Sequence, residues 1–327
     1  MLTSTPVMSR NNDPATETRP RFSFVIVSYN TLRLTRAAVV SISKYAFSHE
    51  IILVDNHSTD GTVAALREEF VDLKIIELEE NRGISVASNA GARIALGDWI
   101  IWMNSDVEIF ADTMPVVDDL LRRHPELDVL GGQLVNPDGS LQTSVLSNYH
   151  LVRDEQRELV EVSGVVGAFT VVRRETWEKL SGMDEGLFFY GEDLDFCYRA
   201  IASGATLRWS PRFRVIHHRS GSSKKVNLRS IVENLESTHY MWRKNLSEEE
   251  YRANIRRDGY RFFFRTIWYF SLSVPTLFLL SAFSGRFRKY FYLFRWHLHG
   301  CAPGWGLRPV KKMETSRPEQ TSVVSRL

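Results

Sequence analysis

The chain has 327 residues, 43% of them hydrophobic and 24% charged, with two cysteines and a formal net charge of +2. This is globular composition, long enough for one large α/β domain with an appendage, and it excludes a disulfide framework and a four-ligand zinc site. The small net charge conceals an asymmetry: residues 251–300 hold nine Arg or Lys against one acid, Asp258, and 16 of the chain's 38 aromatic residues.

Residues 1–20 are rich in Thr, Ser, Asn and Pro and contain no apolar stretch. A disordered tail without a signal peptide is expected there. Cys197 and Cys301 lie far apart, which fits a reducing, cytoplasmic compartment. Phe22 to Val27 is an apolar run ending in Ser28-Tyr29-Asn30, a strand followed by a turn. Leu32 to Tyr45 has helical spacing, and Glu50 to Asp55 is a second strand. Asn56 to Gly61 has loop chemistry, Thr62 to Phe70 reads as a helix, and Lys74 to Leu78 as a third strand. A helix follows over Ile84 to Leu96, then a fourth strand, Trp99 to Met103, that stops abruptly on Asn104-Ser105-Asp106. Strands alternating with helices predict a parallel sheet with right-handed crossovers. Asp128 to Val135 and Val165 to Val172 read as further strands, with some antiparallel pairing, and the composition shift places a boundary near 225–250.

The GxGxxG and GxxxxGK[ST] phosphate loops are both absent, which argues against a dinucleotide Rossmann site or a P-loop. Polar residues instead recur after successive strands: Ser28 and Asn30, Asp55 and Asn56, then Asn81-Arg82-Gly83. Each alone is an ordinary turn former. Their recurrence points to a ligand at the carboxyl edge of the sheet, where open α/β sheets bind. Asp55 can accept hydrogen bonds from a base or ribose, and the backbone at Ser28-Tyr29-Asn30 can hold a base edge. Asp106 supplies a hard oxygen for Mg²⁺ or Mn²⁺, whose remaining ligands would be substrate phosphate oxygens. An aromatic approach, Gly186 to Tyr190, leads into Gly191-Glu192-Asp193-Leu194-Asp195 at a helix start. The helix N-terminus favours carboxylates, and an apolar wall lifts a carboxyl toward the range of a general base. Asp193 is the base candidate, while Asp195 is expected to pair with Arg199 one turn on. Arg214-Val215-Ile216-His217-His218 reads as a strand edge carrying an imidazole ligand, followed by a Gly/Ser loop and Lys224-Lys225 for phosphates.

In this order the motifs resemble those of family 2 glycosyltransferases, most closely a bacterial rhamnosyltransferase-type branch. The run is Val27-Ser28-Tyr29-Asn30, Val54-Asp55-Asn56 with Ser58-Thr59-Asp60-Gly61, Asn81-x-Gly83, Asn89-x-Gly91, Asn104-Ser105-Asp106, Gly191-Glu192-Asp193-x-Asp195 and His-x-x-Gly-x-Ser, over roughly 22–245. The resemblance implies a GT-A type nucleotide-sugar-binding α/β fold, a mixed sheet flanked by helices, with a helical basic and aromatic C-terminal appendage. It implies an inverting transfer from a nucleoside-diphosphate sugar, with dTDP-rhamnose the preferred donor, to a lipid-linked or glycan acceptor of cell-surface polysaccharide. It assigns Asp193 as catalytic base and Asp106 with His218 to a divalent metal, His217 being the alternative. Ser28, Tyr29, Asn30, Asp55, Asn56, Asn81, Gly83, Asn89, Ser105 and Glu192 are the expected donor-binding residues. The family's metal motif often has two acids where this chain has Asn104 and Asp106. Processive synthases carry a QxxRW signature; Arg208-Trp209 is present, but Ala205 stands at the Gln position, which excludes that reading. A non-catalytic sugar-nucleotide-binding scaffold is the competing function, and it would be signalled by loss of the acids that are present here.

Between Arg265 and Arg286 lie 20 uncharged residues, interrupted by Ser271, Ser273, Pro275 and Ser281 and crowded by aromatics. The length only just reaches a bilayer span. A basic, aromatic border reads better as an interfacial anchor on anionic lipid, and the apolar middle argues against nucleic acid. The expected organisation is a catalytic domain over 21–245, a membrane-associating helical region over 246–300 and a flexible tail over 301–327. Its expected place is the cytoplasmic side, peripheral on the inner face of the cell membrane.

Overall fold

The computed structural model describes residues 19–145, 157–219, 228–273 and 281–298. The expected terminal tails and the Gly/Ser loop with Lys224-Lys225 therefore lie largely or wholly outside the described residues. Three parallel strands form the centre: β1 (Phe22–Ser28) lies between β2 (His49–Asp55) and β4 (Trp99–Asn104), and β3 (Lys74–Glu77) extends the sheet beyond β2. The register aligns Ser28 with Asp55 and Val27 with Asn104, so three strands end together at one edge. Helices α1 (Leu32–Tyr45), α2 (Thr62–Glu69) and α3 (Gly83–Arg93) make the crossovers.

Beyond β4 the sheet turns mixed. β8 (Phe169–Arg173) runs antiparallel to β4, and β6 (Val129–Val135) runs antiparallel to β8. β9 (Leu207–His217) is parallel to β6 and also pairs antiparallel with β5 (Val107–Ile109) and β7 (Val160–Glu161). β9 is longer than its β-branched end alone suggests. Its register against β6 shifts between the Gly132–Ser210 and Gln133–Arg214 pairs. Pro211, which has no N–H to give a ladder, falls inside that shift, where a bulge tolerates it.

Strand alternation sends Phe22, Phe24 and Ile26 into one core layer with α1, α2 and α4 (Thr113–Arg123), and Val25, Ile52 and Val54 into a second layer. That second layer packs α3, α5 (Arg174–Lys179) and α6 (Glu192–Ala202). Both sheet faces are thus covered, which is why these strands read as continuous apolar runs.

The C-terminal helices are α7 (Leu228–Asn245), α8 (Glu248–Ser273) and α9 (Ser281–Leu298). Leu235, Phe262, Leu293 and Trp296 form their small core, and His239 stacks between Trp242 and Trp296 at 5.4 and 5.2 Å. Among the described residues no helix is long and apolar enough to cross a membrane. The middle of the uncharged stretch, 274–280, lies outside them.

Candidate active site

The turn after β1 is locked to the loop after β2. Asn30, in the left-handed region at φ 54°, accepts the Thr59 N–H at 2.8 Å and donates its own N–H to Ser58 Oγ at 2.8 Å. Asp60 accepts the Leu32 N–H at 3.0 Å and the Thr62 N–H at 3.1 Å, capping the starts of α1 and α2 together. Tyr29 stays exposed between these ties. Ser28 is fully buried, and its hydroxyl bonds Thr31 and Thr35 at 3.1 and 3.0 Å. Ser28 therefore shapes the strand end rather than offering its side chain to a base. Thr31 also bonds Ser105 Oγ at 2.9 Å, tying the ends of β1 and β4.

Asp55 is buried; its Oδ2 accepts the Ser58 N–H at 2.7 Å, and its Oδ1 has no hydrogen-bond partner among the described residues. An orphaned buried acceptor calls for an explanation, and a base or ribose donor supplies one. Asn56 Nδ2 donates to Asn81 Oδ1 at 3.0 Å and Asn56 Oδ1 accepts the Arg82 N–H at 2.9 Å, so these residues build the entry to α3. Gly83 opens that helix at φ 82°, a left-handed conformation that disfavours a side chain. A Cβ there would also strike the Phe188 carbonyl oxygen. Asn89, two turns along, spends its amide on Met183: it donates to the Met183 carbonyl at 3.0 Å and accepts its N–H at 2.8 Å. It holds the loop before the acidic helix.

Asp106 is buried just past β4, and its Oδ1 lies 3.4 Å from His217 Nε2. His218 points elsewhere, its Nε2 being 2.6 Å from Glu108 Oε1. Of the two candidate imidazoles, the structure sets His217, the alternative, beside Asp106, and His218 beside Glu108. The cause is the two-residue period of β9: His217 shares a face with Val215, which is fully buried, and pairs in register with Val107. One carboxylate and one imidazole cannot enclose a divalent ion, and among the described residues no cluster of three or more ligating side chains occurs. They suit an ion that takes its remaining ligands from substrate phosphates and water. The 3.4 Å separation fits two adjacent ligands of one ion, for which distances near ~2.1 Å imply about 3 Å.

Asp193 lies in the first turn of α6, after Tyr190 and Gly191 in left-handed conformation at φ 71° and 85°. Its Oδ2 accepts the Gly167 N–H at 3.1 Å and its Oδ1 the Leu194 N–H at 2.8 Å. The next residue, Ala168, accepts the Asn104 N–H at 3.0 Å, which ties this carboxylate to the end of β4. Burial raises the pKa of Asp193 despite those N–H donors. Burial, and then the Asp193 charge, push Glu192 up to about 8. Glu192 Oε2 has no partner among the described residues. Two adjacent buried carboxyls titrate as a pair, and the rise at Glu192 keeps a proton on that pair at neutral pH. Asp195 is fully buried and bonds Arg199 at 2.7 Å, as expected from their spacing, and Lys244 of α7 at 2.8 Å. Lys244 and Gln142 are the site's support that the sequence did not suggest: Lys244 also reaches Asp184 at 2.6 Å, and Gln142 contacts His217.

A mixed sheet with polar ligands on the carboxyl edge of its parallel half and a carboxylate on a following helix defines the GT-A class of nucleotide-sugar transferases. Residues 120–300 match the family described as Glycosyl transferase family group 2, and residues 23–181 match Glycosyl transferase family 2. The chain belongs to the family 2 glycosyltransferases. It is 26% identical over 242 residues to the O-antigen biosynthesis protein RfbC of Myxococcus xanthus, covering 67% of this chain and 19% of that protein. It is 26% identical over 223 residues to N-acetylglucosaminyl-diphospho-decaprenol L-rhamnosyltransferase of Mycobacterium tuberculosis, covering 58% of this chain and 73% of that protein. Among solved structures, the mannosyltransferase PcManGT of Pyrobaculum calidifontis, in complex with GDP-Man and Mn²⁺, shares the fold with a TM-score of 0.52 at 20% identity, over 70% of this chain and 64% of that one.

Proposed function

We propose that the protein moves a sugar from a nucleoside diphosphate to a lipid-linked or glycan acceptor with inversion, in the assembly of cell-surface polysaccharide. The observation that carries this reading is the convergence on one sheet edge of the Asp55 orphan acceptor, the Asp106–His217 pair and Asp193, hung from Gly167 beside β4. Asp55 receives the base or ribose, and Asn56, Asn81 and Gly83 keep the pocket wall in place. Asp106 and His217 would hold a divalent ion, Mg²⁺ or Mn²⁺, which when bound neutralises charge on the departing diphosphate. Asp193 takes the proton of the acceptor hydroxyl as its oxygen bonds to the anomeric carbon. The bond from that carbon to the diphosphate oxygen breaks on the opposite face, through an oxocarbenium-like state. Glu192, neutral beside it, adds no charge at neutral pH. L-rhamnose is the proposed donor sugar, on the likeness to the mycobacterial rhamnosyltransferase.

The appendage supports a lipid-facing position. α8 exposes Tyr260, Phe264, Ile267 and Trp268 beside Arg257, Arg261 and Arg265, and Asp258, the one acid of 251–300, is buried. Aromatic rings with basic residues suit the surface of an anionic bilayer, the exposed acids of α8, Glu248 to Glu250, being confined to its first turn. In this reading the appendage would bring the enzyme to the membrane that carries a lipid-linked acceptor.

The test is a panel of nucleotide sugars with the purified protein, scored first by thermal shift and then by transfer. Asp193→Asn should bind the donor as the parent does and transfer nothing. Full turnover in that variant refutes the base assignment, and donor binding without turnover in the parent favours a scaffold.

A further inference from the structure

We propose that Gln142 is a positioning residue for the metal edge: it holds His217 in the tautomer whose Nε2 lone pair faces Asp106. This rests on the proposed reading of Asp106 and His217 as metal ligands and adds to it the group that aims the imidazole.

The assignment follows from which atoms can only accept. Gln142 is 3% exposed, and its Nε2 lies 2.6 Å from the backbone carbonyl oxygen of His217. A carbonyl has no hydrogen to give, so the atom facing it must be the amide nitrogen. The same Nε2 donates to Asn136 Oδ1 at 2.7 Å, while Asn136 Nδ2 donates to Ser140 Oγ at 2.8 Å, an arrangement that agrees throughout. The Gln142 oxygen is thereby turned to His217 Nδ1 at 3.1 Å. An amide oxygen meets a ring nitrogen favourably only if that nitrogen carries a hydrogen, so Nδ1 donates. With an ion held between Nε2 and Asp106 Oδ1 the lone pair sits on Nε2; without one, the carboxylate 3.4 Å away also favours a hydrogen there.

Gln142 is itself held firmly. Its N–H donates to the Leu134 carbonyl at 2.9 Å and its carbonyl accepts Gln133 Nε2 at 2.9 Å. Ser144 Oγ, buried alongside, accepts the Leu134 N–H at 2.8 Å. The Asn136-Pro137-Asp138-Gly139 turn, with Gly139 at φ 83°, folds this segment back on β6 so that Val135 and Leu141 bridge. A buried amide with both hydrogens and its oxygen committed has one orientation, and it fixes the ring plane as well as the tautomer. A hydrogen-bond acceptor behind a ligating imidazole typically accounts for ~10–100-fold of metal affinity.

Two measurements on the full chain test this. In protein saturated with diamagnetic Mg²⁺, long-range ¹H–¹⁵N correlations of His217, assigned by their loss in His217→Gln, should show a protonated Nδ1 and a bare Nε2. The reverse tautomer overturns the proposal whether or not any variant folds. Titration with Mn²⁺ alone, following the free ion by electron paramagnetic resonance, should show Gln142→Met binding ~10–100-fold more weakly than the parent. Parent-like Mn²⁺ affinity in Gln142→Met, with Asp106→Ala deficient, overturns the positioning role and leaves the metal reading standing. Parent-like affinity in Asp106→Ala as well removes the metal site, and this proposal with it.

Discussion

Glu192→Gln separates the two adjacent acids by a property that has nothing to do with turnover. Glutamine copies the shape of the neutral carboxyl and cannot ionise. In the folded protein Glu192 is raised from its ordinary 4.5 to about 8, first by burial and then by the Asp193 charge. The folded state therefore retains a proton that the unfolded chain loses once pH passes about 4.5. Stability is unaffected below that value and falls as pH rises, until the folded group also ionises near 8. The slope is roughly 1.4 kcal/mol per pH unit for one proton, so from pH 6 to 8 the parent should lose about 2–3 kcal/mol that Glu192→Gln keeps. In a chain of this size that is about 3–4 °C in midpoint. Thermal unfolding of both proteins across pH 5 to 9, by circular dichroism or calorimetry, measures it. Midpoints that run parallel with pH would refute the argument that burial holds Glu192 neutral. At pH 7 the same variant should transfer sugar within a few-fold of the parent, unlike Asp193→Asn.

Three further outcomes follow from the packing. Lys244→Met leaves the fully buried Asp195 with Arg199 as its remaining cation and takes the lysine from Asp184, and should cost about 2–3 kcal/mol in denaturant unfolding. Gly167→Ala places a methyl group against the Trp102 ring and 3.0 Å from Asp193 Cβ. It should lower kcat at least tenfold while donor binding by thermal shift changes little. Replacing Phe264 and Trp268 with Ser removes two exposed rings from α8 and should release the protein from anionic vesicles in a flotation assay, with transfer to a soluble acceptor preserved.

The first half of the fold was legible because its signals are local. Strands β1, β2 and β4 are apolar on both faces and end in turn formers, and the α1 boundaries, Leu32 and Tyr45, coincide with those read from spacing. The second half depends on distant pairing. β5 and β7 have three and two residues and exist only because β9 lies beside them. β9 alternates Arg208, Arg212 and Arg214 with apolar residues around Pro211, which masks its length. The His-x-x-Gly-x-Ser motif favours His218 and leaves His217 open, since the motif does not say which face of β9 each occupies. The alternation that buries Val215 would have pointed to His217. Gln142 carries no chemical signature; its place beside His217 comes from the turn at Asn136 to Gly139, which returns it to β9.

Gly83 and Phe188 meet at the boundary between the donor side and the acceptor side. The Ile84 N–H donates to the Phe188 carbonyl at 2.9 Å, and Ser237 of α7 donates to the Phe189 carbonyl at 3.0 Å from behind. Under the proposed function, a displacement of Gly83 on nucleotide binding would be passed to the aromatic segment leading into Asp193. Linkage returns the same factor in the other direction. Under the proposed function the two substrates would share this partition, and their binding constants should be measured jointly.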